Sequence, residues 1–297
     1  MKKIAELKKE YDEMTIPEEL DFVVRKALKD SKRRLEGADK MNKTLKWITG
    51  VAAALAIFIG GINLSPAFAE AVSQLPVVGN LVKVFTFREF KVEGDSYQAN
   101  LKVPAVEGME NKELQLSINE KYLAENKKLY EEFMKEIKDL EAKGGGHLGV
   151  DSGYEIKTDT EEILSIGRYV VETAASGYET WKFDTIDKKN QILLTLPSLF
   201  KDESYVDIIS ENIKNQMVEQ YKADSDNFYW VAGIEQDGGI ELFNKISEEQ
   251  NFYINQEGKL VISFDKYEVA PGYMGVVEFA IPTDVLSDIL VSNGYIK

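Results

Sequence analysis

The residues whose types and spacing point to chemistry are Ala67 and Ala69, two small side chains flanking Phe68 and followed by Glu70. The chemistry is done to them rather than by them. A small-x-small triplet behind an apolar run is the pattern that signal peptidase cuts. Here it lies behind a charged stretch of 46 residues, far deeper in the chain than an export signal sits. Ala69-Glu70-Ala71 is a second small-x-small triplet, and Pro66 stands beside the first. The expected cut is after Ala69, with Ala71 as the alternative.

Machinery for the chain's own catalysis is nearly missing. There is no cysteine, so thiolate metal sites, disulfides and a cysteine nucleophile are excluded. His147 is the single histidine, which rules out a histidine metal cluster. It follows three glycines and reads as a loop residue. No phosphate-cradling glycine motif is present. Carboxylates are plentiful, but runs such as "EEFMKEIKDLEAK" read as solvated helix faces. The sequence predicts no enzyme, no metal site and no cofactor.

The elements around the triplet divide the chain. Trp47 to Leu64, "WITGVAAALAIFIGGINL", has no charge, and as a helix it would be about 27 Å long, near the thickness of a bilayer core. A buried core helix is the alternative. A basic flank precedes it, which places the N-terminus in the cytoplasm and the remainder outside. Net charge supports the division: the whole chain carries −15, residues 1–46 carry +3, and residues 70–297 carry −18. The expected domains are a cytoplasmic tail (1–46), a transmembrane helix (47–64), a cleavage site and linker (65–82), and an extracellular domain (83–297) in two sub-parts, about 83–190 and 191–297. This organisation predicts a single-pass protein of the cell membrane.

In the tail, Pro17, Glu18 and Glu19 suit a helix start. Leu20, Val24 and Leu28 then fall on one stripe. A stripe without a domain to cover it predicts docking onto a protein partner, and a solvated, weakly membrane-associated arm is the other reading. Its mixed charge argues against nucleic acid.

The outer domain reads as α+β with antiparallel sheets and a long helix. A β-hairpin is expected over "VKVFTFREFKV" and "SYQANLKVP", then a helix from Asn111 to Lys143 with Leu114, Ile118, Tyr122, Leu129, Phe133, Ile137 and Leu140 on its apolar face. Strands near 147–158, 162–176 and 178–187 follow, then a helix over 203–222. A three-strand meander ("NFYIN", "KLVISFDKYEVA", "GVVEFAIP") and a closing helix, "TDVLSDILV", end the chain. Between the last two strands, Pro271-Gly272-Tyr273-Met274-Gly275 is a loop with an aromatic and a methionine at its tip, types favoured at interfaces. A tight turn with Tyr273 folded back on the sheet is the other reading.

Taken together, the blocks "IPEELDFVVRKAL", "LPVVGNLVKVFTF", "NKELQLSINEKYL", "TIDKKNQILLTLPSLFKDE" and "ISFDKYEVAPGYMG", with the membrane segment and its "AFA" site, carry a likeness. The chain resembles the RsiV-type anti-sigma-V factors of Gram-positive bacteria. The resemblance implies that the tail, through Leu20, Val24 and Leu28, silences an extracytoplasmic-function sigma factor. It implies that the outer domain binds c-type lysozyme, with Pro271, Gly272, Tyr273 and Met274 entering the lysozyme groove and Ser176 and Tyr178 beside them. Signal peptidase would then cut at Ala67-Phe68-Ala69, a site-2 protease would cut within the membrane, and the sigma factor would be freed to induce lysozyme resistance. A membrane-anchored lysozyme inhibitor without signalling is the competing hypothesis. It leaves the tail stripe unexplained. A cell-wall hydrolase or deacetylase would need a catalytic set that the sequence lacks.

Overall fold

The computed structural model describes residues 82–143, 146–174, 177–236 and 239–297, all within the unit Gln74–Lys297. The tail stripe (Leu20, Val24, Leu28), the apolar segment 47–64, the triplet Ala67–Ala69 with Glu70, and Ser176 lie outside the described residues. Among the described residues, no helix is long and apolar enough to cross a membrane.

Alternating apolar residues build the first sheet. Strands β1 (Lys83–Glu93) and β2 (Tyr97–Glu107) form the expected hairpin, with a register shift between Thr86 and Arg88. Helix α1 (Lys112–Ala142) follows, its first turn capped by Asn111, whose side chain accepts from the Leu114 N–H at 3.1 Å. Strands β3 (Leu148–Asp159), β4 (Ile163–Thr173), β5 (Gly177–Asp187) and β6 (Ile192–Leu194) complete a six-stranded sheet in sequential order.

One pair corrects the antiparallel expectation: β2 and β3 run parallel, from Tyr97 opposite Leu148 to Leu101 opposite Ser152. A helix of this length carries the chain back along the sheet, so the next strand starts at the same end as β2. The sheet is therefore mixed.

The helix face also differs from the expected stripe. Ile118, Tyr122, Phe133 and Ile137 are buried, while Leu114, Leu129 and Leu140 are half-buried. Gln115, Asn119, Asn126, Tyr130 and Met134 share the buried face. Two of the amides serve the backbone of β2 and its exit. The β2–β3 pairing stops at Leu101, and beyond it Asn119 replaces the missing strand, accepting from Val106 N–H at 2.7 Å and donating to Val106 C=O at 2.9 Å. Gln115 accepts from Met109 N–H at 3.0 Å in the same way. Buried main-chain groups must be paired, and apolar side chains cannot pair them.

Charge is buried under the same helix. Arg168 on β4 bonds Asp184 on β5 at 3.0 Å, pairs with Glu125, and lies 4.2 Å from the Tyr122 ring centre. Lys121 reaches the other Asp184 oxygen at 2.8 Å.

The second part of the fold packs around a second core, which it shares with part of the first sheet. After a 3₁₀ turn (Pro197–Leu199), α2 (Ser204–Ala223) places Tyr205, Ile209, Ile213 and Met217 on one line, four residues apart. They pack in one core with Leu260, Ile262, Phe264, Phe279 and Ile281 of the antiparallel meander β7 (Phe252–Ile254), β8 (Leu260–Phe264) and β9 (Val277–Ile281). Ile163 and Leu194 of the first sheet enter the same core, and Thr158 donates to Ile254 C=O at 2.5 Å. The closing helix is shorter than expected. Helix α3 covers only Thr283–Leu286, because the chain beyond it bonds back to the 3₁₀ turn and its exit: Val291 N–H to Leu199 C=O at 2.9 Å, Lys201 N–H to Ile289 C=O at 2.9 Å.

Burial alone would raise the Asp184 carboxyl, but Arg168 and Lys121 outweigh it and hold it below the usual carboxylate range. A group whose folded value is lowered gives stability that is present above its unfolded value, about pH 4, and is lost as the pH falls through the folded value. Asp184→Asn should therefore destabilise by about 3 kcal/mol at pH 7, with the penalty shrinking in acid. Urea unfolding at pH 7 and pH 3 checks this. A penalty that does not change with pH would contradict it.

Candidate partner-binding surface

The β4–β5 hairpin and the segment between β8 and β9 meet at one end of the first sheet. Strand β5 pairs with β6 only from Thr185 to Asp187, so among the described residues no strand lies beside its earlier outer edge. Residues from the second part of the fold fill that edge. Asp265 accepts from Trp181 N–H at 2.7 Å, Asn251 donates to Trp181 C=O at 2.8 Å, and Lys266 N–H donates to Glu179 C=O at 3.2 Å. The Lys266 ammonium adds a bond to Gly177 C=O at 2.6 Å.

This geometry corrects the strand read over 259–270. Strand β8 stops at Phe264. The chain then folds into a turn held by Asp265 and Glu268: Glu268 N–H donates to Asp265 C=O at 3.0 Å, and the Glu268 side chain accepts from Asp265 N–H at 2.7 Å.

Beyond the turn, Val269 C=O accepts from Trp230 N–H at 2.8 Å. Pro271 then leads into a 3₁₀ turn over Gly272–Met274. Gly275 ends it at φ 67° and ψ −146°, a conformation that glycine alone adopts readily. Within this turn the side chains diverge. Tyr273 is 69% exposed, and its hydroxyl donates to Asp226 C=O at 3.1 Å. Met274 packs against the second core instead of standing beside Tyr273 at the tip.

Of the expected outer-domain site residues, Tyr178 and the 271–274 turn are thus brought together, through Tyr267. The ring of Tyr267 stacks on Tyr178 at 6.5 Å between centres and 15° between planes, and it also lies against Gly272. Sequence reasoning misses Tyr267, since its turn reads as strand. Tyr178, Tyr267 and Tyr273 are the aromatic members of the exposed large hydrophobics among the described residues.

Negative charge lies close to Tyr178, while the Lys266 ammonium sits 5.4 Å from the Tyr267 ring centre. Burial, then the Asp265, Glu268 and Glu172 carboxylates, push the Tyr178 hydroxyl up. Burial raises Asp265 as well; the Trp181 N–H works against the rise, and Glu268 and Glu179 add to it. Such a surface can offer aromatic faces and carboxylates to a cationic protein. Among the described residues, no group of three or more metal-ligating side chains gathers. His147 is exposed just ahead of β3.

Asp265→Ala should cost about 1–2 kcal/mol, because it strands the Trp181 N–H at a covered edge. Thermal unfolding of the variant checks this, and an unchanged melting temperature would contradict it.

Comparison with known proteins covers both parts of the chain. Residues 40–130 match a domain of unknown function, DUF4179, and residues 197–284 match a protein family of unknown function, DUF3298. A solved DUF3298 protein from Bacteroides fragilis NCTC 9343 is 17% identical, with a TM-score of 0.52 over 72% of this chain and 95% of that one. It shares the α+β fold. A second, from Pseudomonas aeruginosa PAO1, is 12% identical with a TM-score of 0.47 over 73% of this chain and 97% of that one. The anti-sigma-V factor RsiV of Bacillus subtilis (strain 168) is 48% identical over 297 residues, which is all of this chain and 99% of that protein. With that identity sustained from end to end, the chain belongs to the family of RsiV-type anti-sigma-V factors.

Proposed function

We propose that this anti-sigma factor is a membrane-bound lysozyme receptor whose signal is its own cleavage. The observation that carries the outward half of this reading is the exposure of Tyr178, Tyr267 and Tyr273, with carboxylates close to Tyr178. The net charge of −18 over residues 70–297 supports it further. Lysozyme of the c-type is strongly basic, so an acidic domain steers it and an aromatic turn can anchor it. The 271–274 turn enters the lysozyme groove as a ligand would, and the receptor hydrolyses nothing. Ser176 and Tyr178, around the start of β5, add contacts at the side.

The inward half rests on the tail. Leu20, Val24 and Leu28 present one apolar stripe to the sigma factor, as in helix-in-groove recognition. The segment 47–64 spans the cell membrane once, with the tail in the cytoplasm and residues 83–297 outside. Lysozyme binding permits signal peptidase to cut after Ala69, ahead of Glu70. A site-2 protease then cuts within the membrane segment, where Gly60 and Gly61 weaken the helix. The sigma factor, once released, induces lysozyme resistance. Linker, anchor and tail have no catalytic duty in this scheme, and no cofactor enters it.

Two measurements test the halves separately. Calorimetric titration of the detergent-solubilised full chain with c-type lysozyme should give one-to-one binding, and Tyr273→Ala should weaken it by about 1–2 kcal/mol. Unchanged affinity with an intact fold would remove the turn from the interface. On the inner side, Val24→Asp and Leu28→Asp each place a charge on the apolar stripe, and each should abolish co-purification of the sigma factor. Retention of the sigma factor by both variants would contradict the tail assignment.

A further inference from the structure

One side chain of the candidate surface is held against its own backbone preference. Tyr267 has φ 71°, and among the described residues only Gln191 shares a positive φ without being glycine. A bulky residue there is a conformational outlier, retained only where its surroundings hold it. Glycine would suit the third position of the Asp265–Glu268 turn, yet the chain carries a large ring.

What the ring touches gives the reason. On one side it stacks on Tyr178, at the start of β5. On the other it occupies the space beside Gly272. A Cβ at Gly272 would lie 2.2 Å from the Tyr267 Cζ and 2.3 Å from its Cε1 and hydroxyl oxygen. Gly272 has no positive φ, so its lack of a side chain serves the ring rather than the backbone. The turn that carries Tyr267 is itself fixed to β5 through Asp265 and Lys266.

We propose that Tyr267 is a positioning residue for partner recognition: its ring sets the Gly272–Met274 turn against β5, so that Tyr273 meets the partner in a fixed orientation. This rests on the reading of that turn as the contact with a basic protein partner. Preorganising a loop raises affinity by sparing the cost of ordering it on binding. The strain at Tyr267 is retained because the ring bridges β5 and the 272–274 turn.

The test uses the full chain in detergent, titrated with c-type lysozyme, with thermal unfolding measured in parallel. Tyr267→Gly removes the ring and relieves the positive φ. It should lower affinity tenfold or more while the melting temperature holds or rises, an opposition that a merely structural residue would not produce. Tyr267→Phe should bind within twofold of the parent. Gly272→Ala, which pushes the ring away, should lose affinity as Tyr267→Gly does. The decisive step is a double-mutant cycle. If Tyr267 acts by orienting Tyr273, the penalty of Tyr273→Ala should largely vanish in the Tyr267→Gly background. Full multiplication of the two penalties, or parent-like affinity for Tyr267→Gly, would overturn the proposal. Loss of affinity in Tyr273→Ala beside an unaffected Tyr267→Gly would overturn the positioning role alone. No effect of either variant would overturn the contact reading and this inference with it.

Discussion

A strand edge cannot be left bare beneath packed structure, because each main-chain N–H and C=O there must find a partner. In this protein the edge is that of β5 between Gly177 and Trp181. The short β6 covers only its far end. Asp265, Lys266 and Asn251, all from the second part of the fold, satisfy Gly177, Glu179 and Trp181 one by one. Closing the edge fixes the 265–268 turn in place. That turn carries Tyr267, and Tyr267 lies against Gly272. The shape of the outer surface thus follows from a requirement of the backbone.

The same requirement governs the first core. Where β3 leaves β2, helix α1 supplies amide side chains in place of a strand. The helix also covers a buried ionic cluster built on Arg168 and Asp184. Such clusters add little net stability over apolar packing, yet they are costly to break. With Lys121 and Glu125 both on α1, the cluster ties the helix to one placement on the sheet. Rigid support of this kind would suit the proposed partner surface, which is to present side chains without rearrangement.

Much of the fold was legible in the sequence, since its elements are bounded by strong local features. Alternation placed the β1–β2 hairpin, Asn111 marked the start of α1, and the later strands and the helix over 203–222 were read close to where β3 to β5 and α2 lie. What was not legible depends on neighbours that no local pattern names. The parallel β2–β3 pair is set by the path of α1, and Gln115 and Asn119 look like solvent residues until the backbone they serve is known. The segment "TDVLSDILV" has helical spacing, but bonds to Leu199 and Lys201 win over its last turn. At the surface, Tyr273 stood out by type and loop position, while Tyr178 came only from the family resemblance. Tyr267 did not stand out, because Phe264 to Val269 looks like one strand and only the bonds of Asp265 and Glu268 bend it.

The central claim is that ligand binding outside licenses a cut between Ala69 and Glu70. The most direct measurement is N-terminal sequencing of the fragment released when the full chain, in membrane vesicles with signal peptidase, is exposed to c-type lysozyme. The expected product is a fragment that starts at Glu70 and forms only when lysozyme is present. Cleavage at the same rate without lysozyme, or none with it bound, would contradict that claim.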